Sequence, residues 1–373
     1  MSLYNLPDIK FVDDDPKKTE NNVIQLYEAL TDRKLFPGDP VRLFLLSLAQ
    51  IIVQQRVLIN QTGRQNSLRY ATGDYLDHKG ADSRTERLEA ISAKTTVRFE
   101  LSAVRPSVVA INQGTRVCPT DKKVYFSTVE YAEIAPGQTH VDILCSCLEP
   151  GMYGNGFLPG QIDTIVDPIG FIQKVSNMTE STGGADRESD DAYRERIYNA
   201  PEAFSVAGPE GAYQYWAKTA SPLITDVAVD SPAAGEIKII PLLTGGEIPT
   251  ADLLNAVADI CNARNIRPLT DHVTVVTPTT QDYMVNFTYW ISRDRATEAA
   301  AIQAAVQQAT DQYVLWQKSK LGRDRNPSEL IRRVMAAGAY RVDVASPSFA
   351  AVAWEEIAVA SNVTITFGGL VDD

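Results

Sequence analysis

The sequence contains few of the residues that usually form reactive or metal-binding sites. Its 373 residues include four cysteines, with no Cys-x-x-Cys pair, and three scattered histidines, His78, His140 and His272. The patterns GxxxxGK(S/T), GxGxxG, GxSxG and HExxH, which cradle phosphates, activate serine or hold zinc, are absent. We therefore predict no catalytic residue, no cofactor and no metal, and the low cysteine content fits a reducing compartment.

Positive charge is also scarce. The chain has 35 lysine and arginine residues against 47 acidic residues, a net charge of −12, and no block of basic residues. Because nucleic-acid binding depends largely on basic side chains that neutralise phosphates, we expect no nucleic-acid partner.

Long hydrophobic runs are missing as well. The most apolar segment, Leu43 to Val53, contains Ser47 and Gln50 and is shorter than the roughly 20 residues needed to cross a bilayer. The N-terminus lacks the basic and apolar segments of a signal peptide. We therefore expect synthesis in the cytoplasm and no membrane insertion.

The length and the changing hydrophobic pattern predict several domains. We expect a helical region with an N-terminal arm (1–94), a β-rich domain (95–182) and two α+β domains (183–280 and 281–373). The predicted fold class is multidomain α+β, with a mostly antiparallel β-domain and with C-terminal helices packed on mixed sheets.

A long helix dominates the first segment. Asp39 and Pro40 are typical of a helix N-cap and first turn, and the apolar spacing that follows predicts a helix to about Gln65. The candidates on this helix for contacting a partner helix are Phe44, Leu48 and Ile52. An ordinary core helix explains the same stripe equally well.

Two flanking stretches have less regular patterns. Residues 1–20 are polar and lack an apolar face, so we expect an extended arm. Residues 72–87 are predicted to form a turn-rich loop that leads into a charged helical stretch. A metal site at His78 with its neighbouring aspartates is disfavoured, because such loops are mostly solvated surface.

From Thr95 onward, apolar and polar residues alternate, which predicts short strands. The predicted strands lie near 95–101, 108–111, 124–126 and 140–147. Cys145 and Cys147 continue the apolar face of the last strand, so we expect small core residues there rather than catalytic thiols.

The C-terminal half alternates between strand and helix patterns. Helices are predicted at 209–220, 250–264, from about 295, and at 327–337, with strands at 224–230, 236–242, 273–276, 283–291, 340–345, 356–359 and 363–367. Paired strands around helices indicate two α+β units, each with helices on one face of an antiparallel or mixed sheet.

Between these halves lies the junction segment, Gly183 to Ile197, with the sequence GGADRESDDAYRERI. Its glycines permit a sharp turn, and Ser189 is a candidate N-cap for a helix with acidic residues in its first turn. We expect Tyr193 and Ile197 to share a face, and Asp190 to pair with Arg194 four residues on. The candidate residues of this structural joint are Gly183, Gly184, Asp186, Glu188, Asp190, Tyr193, Arg194 and Arg196.

Two other functions could use the acidic residues of the junction segment. Paired carboxylates between Asp186 and Asp191 are the groups that a cell-wall hydrolase needs as acid and base. Asp186, Glu188 and Asp190 also alternate like the start of an EF-hand loop. That loop, however, needs glycine at its sixth position and glutamate at its twelfth, where this chain has Asp191 and Ile197.

Three stretches carry a family resemblance. They are Gly73-Asp74-Tyr75-Leu76-Asp77 with Gly80 and Arg84, Gly154-Asn155-Gly156 with Gly160 and Ile162, and the junction segment itself. In order and spacing the chain resembles the baseplate J-like family of contractile phage tails and related injection systems, over nearly its whole length.

The resemblance implies a structural wedge subunit of a tail baseplate rather than an enzyme. It implies that helices near the N-terminus bundle with other wedge proteins and that the α+β domains meet other copies of the chain. Together these copies would form a ring around the central hub and spike that helps couple triggering to sheath contraction. Hub and sheath-initiating proteins are the other expected partners, and the expected location is the baseplate of a virion tail or tail-like particle. If the junction segment is a moving joint, Gly184→Val should assemble but fail to change state.

Overall fold

A computed structural model describes residues 6–204 and 208–372. The chain forms two compact units. The helical unit comprises Met1–Arg87 and Ser189–Ala200, and the sheet unit comprises Leu88–Glu188 and Pro201–Asp373. The chain therefore passes between the units three times, and one of these passages lies within the junction segment.

From residue 6 onward, the helical unit contains four α-helices. They are α1 (Pro16–Thr31), α2 (Pro40–Gln65), α3 (Gly73–Asp82) and α4 (Asp190–Asn199). The prediction for α2 is confirmed at both ends: the Asp39 side chain accepts a hydrogen bond from the Val41 N–H at 2.8 Å, and Pro40 occupies the first turn. Both features satisfy or remove N–H groups that a helix start would otherwise leave unpaired.

The prediction of an extended arm over residues 1–20 is wrong from Pro16 onward, and its first five residues lie outside the described part of the chain. Helix α1 begins there because the Asp15 side chain accepts from the Lys18 N–H at 3.0 Å and proline fits the first turn. Ile24 of α1 is buried together with Leu45 of α2. The apolar residues that pack in α1, Val23, Ile24 and Tyr27, come after residue 20, so the polar start of the helix resembles an arm in the sequence.

The structure also differs from the prediction of a turn-rich loop at residues 72–87. Residues 73–82 form α3, whose buried positions are Leu76 and Gly80. The glycines that suggested turns serve the start of this helix and a close packing contact in its last turn. Local turn signals were outweighed by tertiary packing.

The first part of the sheet unit is a curled, mostly antiparallel sheet. The strands of this region are β1 (Lys94–Leu101), β2 (Val109–Ile111), β3 (Arg116–Cys118), β4 (Phe126–Thr128), β5 (Ala132–Ile134), β6 (His140–Cys147), β7 (Thr164–Ile165) and β8 (Ile172–Asn177). Six of them form the sheet, and β2 and β5 form a separate two-stranded ribbon. The six-stranded order is β7-β3-β4-β6-β1-β8, and the two outer strands contact each other, so the sheet is nearly closed.

This barrel has one apolar core. Phe99, Phe126 and Ile143 are completely or almost completely buried in it. Cys145 and Cys147 lie in the same core, as predicted, and burial raises the pKa of the Cys145 thiol to about 12. At such a pKa the thiol stays protonated and unreactive near neutral pH.

A small α+β domain follows. It contains α5 (Glu210–Lys218), β9 (Ile224–Ala233), β10 (Glu236–Leu243), α6 (Ala251–Cys261) and β11 (His272–Val275). In its sheet, β10 pairs antiparallel with β9 and parallel with β11. Tyr213 of α5 and Val257 of α6 share a buried core with residues of the sheet.

The last domain also has helices packed on a three-stranded mixed sheet, but two of its strands are longer. It contains β12 (Thr279–Ser292), α7 (Ala299–Lys318), α8 (Pro327–Ala336), β13 (Arg341–Ser346) and β14 (Glu356–Val371). Central β12 pairs antiparallel with β13 and parallel with β14. The two strands predicted at 356–359 and 363–367 are one strand, irregular at Ser361. The predicted fold class, with helices on mixed sheets, is confirmed.

Candidate functional site

The second half of the junction segment is helix α4. Its start is as predicted: the Ser189 side chain accepts from the Ala192 N–H at 3.3 Å, and two aspartates occupy the first turn. Tyr193 and Ile197 are both buried, in one cluster with Leu76 of α3. Although α4 is far from α1–α3 in sequence, it completes the core of the helical unit.

The predicted pairing of Asp190 with Arg194 is wrong, because each residue has another partner. The Arg194 guanidinium contacts the Asp191 carboxylate at 2.5 Å and donates to the carbonyls of Leu68 at 2.9 Å and Ala71 at 2.8 Å. Arg194 thus caps carbonyl groups in the loop before α3, and Arg196 does the same for the carbonyl of Glu86 after it. Charged donors to buried carbonyls make strong hydrogen bonds, so both arginines fasten α4 to this loop region.

Asp190 instead joins α4 to the two ends of α3. Its carboxylate accepts from the Gly73 N–H at 3.0 Å and contacts Arg87 at 2.8 Å, while Arg87 also reaches Asp77 at 2.7 Å. Burial alone would raise the pKa of the Asp190 carboxyl, but the Gly73 N–H and the Arg87 guanidinium hold that pKa below its ordinary value. Arg87 was not among the predicted site residues, although it ends the predicted turn-rich stretch 72–87.

Gly80 and Tyr193 lie in direct contact. The Tyr193 hydroxyl donates to the Thr85 carbonyl at 2.6 Å. A Cβ atom on Gly80 would lie 1.7 Å from the Tyr193 hydroxyl oxygen. Only glycine leaves room for this ring, so two of the stretches that carry the resemblance, 113 positions apart, are parts of one packing arrangement.

The first half of the junction segment belongs to the sheet unit. There the Gly184 N–H donates to the Asn155 side-chain oxygen at 2.9 Å, and the Asn155 amide donates back to the Gly184 carbonyl at 2.8 Å. A Cβ atom on Gly184 would lie 2.4 Å from the Gly151 carbonyl oxygen. The Gly-Asn-Gly turn and the glycine pair therefore form a second fitted contact. The role of Asn155 was missed because such a turn is a weak signal by itself.

The acidic side chains of the first half bind backbone N–H groups. Asp186 accepts from the Met152 N–H at 2.9 Å, and Glu188, which is buried, accepts from the Leu88 N–H at 3.0 Å. These contacts give two of the acidic side chains of the segment a structural role. Within residues 6–204 and 208–372, no three His, Cys, Asp or Glu side chains are grouped closely enough to hold a metal ion.

Helix α2 presents a second candidate surface. One face is covered by its own unit: Leu45, Ala49 and Val53 are buried, and Asn60 binds the backbone of Phe11 and Val12. The partner candidates lie elsewhere on the helix and are exposed. Their exposed fractions are 62% for Phe44, 37% for Leu48 and 38% for Ile52.

By length and composition alone, α2 could also cross a membrane. Only 17% of its most apolar 18-residue stretch is buried. The prediction from sequence considered only Leu43 to Val53, whereas the helix extends 12 residues further. The expected lack of membrane insertion stays a prediction.

Comparison with protein families gives three matches in consecutive order. They are the baseplate J-like protein barrel domain at residues 96–184, the baseplate J-like central domain at 205–277 and the baseplate J-like protein C-terminal domain at 285–366. Together they cover well over half of the chain.

Two individual proteins are also similar. Baseplate protein J of Escherichia phage P2 is 34% identical over 161 residues, which are 43% of this chain and 52% of the phage protein, so the match spans about half of that relative. A chain in a cryo-EM structure of the anti-feeding prophage baseplate aligns over 92% of this chain and 90% of its own length, with 15% identity and a TM-score of 0.44.

Proposed function

This chain belongs to the baseplate J-like family, and from that premise we propose that it is a structural subunit of a contractile tail baseplate. The proposal rests on the three consecutive family domains and on the match to baseplate protein J of phage P2. In this role the chain acts by assembling with other copies and with other baseplate proteins, without catalysis.

More specifically, we propose a wedge subunit that helps form a ring around the hub and spike. The exposed apolar face of α2 carries this part of the proposal. Phe44, Ile51 and Leu58 are spaced by seven residues, Ile52 and Ile59 by seven, and all are exposed. A seven-residue apolar repeat is the pattern by which helices pack as coiled coils. We infer that α2 bundles with helices of neighbouring wedge proteins.

A helical partner explains this face better than a lipid bilayer does. Gln54, Gln55 and Arg56 lie near the middle of α2, where a bilayer would leave their polar groups without water. The opposite face is already occupied by α1 and by the segment around Phe11. A bundle needs only one apolar face, whereas a spanning helix needs apolar residues all around.

For the junction segment we propose the role of a fitted connector between the two units. Its first half is hydrogen bonded to the Gly-Asn-Gly turn, and its second half is packed against α3. Each half is fixed within its own unit, so any movement between the units has to involve the three chain passages, Arg87–Leu88, Glu188–Ser189 and Ala200–Pro201. We keep the domain limits 1–94, 95–182, 183–280 and 281–373 as part of this proposal, with α4 assigned to the core of the helical unit.

The decisive experiment replaces Leu48 by aspartate. The full chain is coexpressed with the tail gene products encoded beside it, and particles are examined by electron microscopy and co-purification. We expect Leu48→Asp to keep the circular dichroism spectrum and melting temperature of the parent chain, because Leu48 lies outside the buried core, while its incorporation into wedges falls at least tenfold.

The matched control is Gln54→Asp, which adds the same charge about 120° around the same helix. It should assemble normally. Normal assembly of Leu48→Asp would show that this face does not contact a partner. Flotation of the purified chain with phospholipid vesicles would instead favour a membrane-bound α2.

A further inference from the structure

Strand β14 leaves one edge of the last sheet open. It lies outermost in the order β13-β12-β14, and in the described part of the chain no backbone hydrogen bond beyond the β12–β14 ladder involves residues 357–371. Between two irregularities, Asn362–Phe367 pairs continuously with Met284–Tyr289 of β12. The outer side of this run is a row of unpaired backbone donors and acceptors, to which another strand can be added.

The open edge of β14 lacks the features that normally prevent strand addition. From Ile357 to Val371 there is no charged residue and no proline. Proteins usually protect a sheet edge with charges, proline or a very short strand.

The other long or accessible edges of the described sheets do have such protection. Edge strand β13 carries Arg341 and Asp343, β9 carries Asp226, Asp230 and Pro232, and β11 has only four residues. Among these edge strands of the described residues, β14 is thus the one without such protection.

The side chains of β14 indicate what kind of strand fits there. Val363, Ile365 and Phe367 pair with Val285, Phe287 and Tyr289 of β12, which are buried under the helices. They therefore lie on the helix-covered face of the sheet. Yet Val363 and Phe367 are each 39% exposed, because no strand flanks them on the outer side. A strand with apolar residues at alternate positions would bury them.

We propose that two copies of this chain pair through β14, antiparallel and about a two-fold axis. A second copy of Asn362–Phe367 supplies the required alternation, with apolar residues at 363, 365 and 367 and with small polar residues at 362, 364 and 366. A two-fold axis perpendicular to the sheet keeps each residue on its own face, so Val363, Ile365 and Phe367 of the two copies meet on the helix-covered side. The product is one six-stranded sheet, β13-β12-β14 followed by β14-β12-β13 of the second copy.

The absence of charge favours this partner further. In an antiparallel homodimer each strand faces its own sequence, so any charge near the centre would oppose an identical charge or its neighbour. Asn362–Phe367 avoids this. The inference rests on the proposed function, because a ring needs contacts between copies. It deepens that function by naming the surface that two copies share.

The first test introduces the missing charge. In Thr364→Lys combined with Thr366→Lys, the substituted side chains lie on the open face of the sheet, and four like charges meet across the two-fold axis. We expect the dimer dissociation constant of the full chain, measured by analytical ultracentrifugation, to rise at least tenfold. The matched control is Asn286→Lys, which faces the same side from central β12 and should leave dimerisation unchanged. All variants are compared in a Leu48→Asp background, which removes association through α2.

A second test uses cross-linking and does not depend on charge. All four native cysteines are buried, so Thr364→Cys introduces one accessible thiol close to the two-fold axis. Mild oxidation should give a disulfide-linked dimer, whereas Asn286→Cys should not. A monomeric parent chain, a dimer insensitive to the lysine pair, or equal cross-linking of both cysteine variants would overturn the inference. Incorporation into wedges, measured separately, reports on the proposed function, so the two failures can be told apart.

Discussion

Asn155 and Gly184 exchange two hydrogen bonds, with the asparagine side chain pairing both the N–H and the C=O of the glycine at 2.9 and 2.8 Å. The amide thereby acts as a short strand partner for the first half of the junction segment. The contact links the Gly-Asn-Gly turn to the glycine pair across 29 positions of sequence.

Removing this side chain should destabilise the sheet unit. Asn155→Ala leaves the polar backbone groups of Gly184 without their partner, which typically costs about 1–3 kcal/mol. We expect a loss of that size in urea unfolding followed by fluorescence. Asn286→Ala, at an exposed asparagine on β12, is the control and should change stability by less than about 0.5 kcal/mol. Equal stability of both variants would contradict the role assigned to Asn155.

The two glycines of the junction segment should respond differently to alanine. Gly184→Ala places a Cβ atom 2.4 Å from the Gly151 carbonyl oxygen, and we expect it to cost more than about 3 kcal/mol or to prevent folding. Gly183 has a φ of +83° and open space around it, so Gly183→Ala should cost only about 1–2 kcal/mol.

The melting temperatures of the two variants test this prediction. A lower melting temperature for Gly183→Ala than for Gly184→Ala would refute it. The same geometry corrects the expectation that Gly184→Val folds and assembles, because valine meets the same obstacle. Gly183→Ala is the better probe of movement at this connection.

Helix α3 should depend on the absence of a side chain at Gly80. In an ordinary helix Gly→Ala gains about 1 kcal/mol, but here the new Cβ atom would meet the Tyr193 hydroxyl oxygen at 1.7 Å. We expect Gly80→Ala to destabilise the helical unit by more than about 2 kcal/mol.

Tyr193→Phe removes the obstructing hydroxyl and should recover part of that loss in a double-mutant cycle of unfolding free energies. Gly170→Ala, at a glycine with open space around it, serves as the control. Additive effects of the two substitutions would mean that Gly80 and Tyr193 do not compete for the same space.

Glu329 gives a prediction for acid sensitivity. Hydrogen bonds from Arg332 and Arg333, both at 2.7 Å, lower the pKa of its carboxyl from 4.5 to about 2. A carboxyl whose pKa is lower in the folded state stabilises the fold above its unfolded pKa, and that contribution disappears as the pH falls from about 4.5 to 2.

We expect Glu329→Gln to lose about 1 kcal/mol at pH 7, less than full linkage would give because Arg332 is exposed to solvent. At pH 2 it should match the parent chain. Glu298→Gln, at an exposed partner of Arg295, is the control and should lose much less at pH 7. A pH-independent effect at Glu329 would reject the ion-pair explanation.

Elements with strong local signals were predictable. The helix at Pro40–Gln65 follows from Asp39, Pro40 and a regular apolar spacing, and strand β6 follows from simple alternation over eight residues. Helix α1 and strands β3, β5, β7 and β8 were not predicted. Strands β3, β5 and β7 have only two or three residues, and the first turn of α1 is polar, so the sequence gives little local signal where these elements begin.

The features of the candidate site also divide into those that follow from local sequence and those that depend on tertiary structure. The N-cap at Ser189, the acidic first turn and the shared face of Tyr193 and Ile197 are properties of neighbouring residues, and sequence alone determined them. The partners of Asp190, Arg194 and Gly184 were decided by tertiary structure, because they come from segments about 30 to 125 positions away. Charge and glycine content showed that the junction segment is special. Only the folded chain shows which backbone groups its carboxylates and glycines contact, since hydrogen-bond partners are selected by proximity in space.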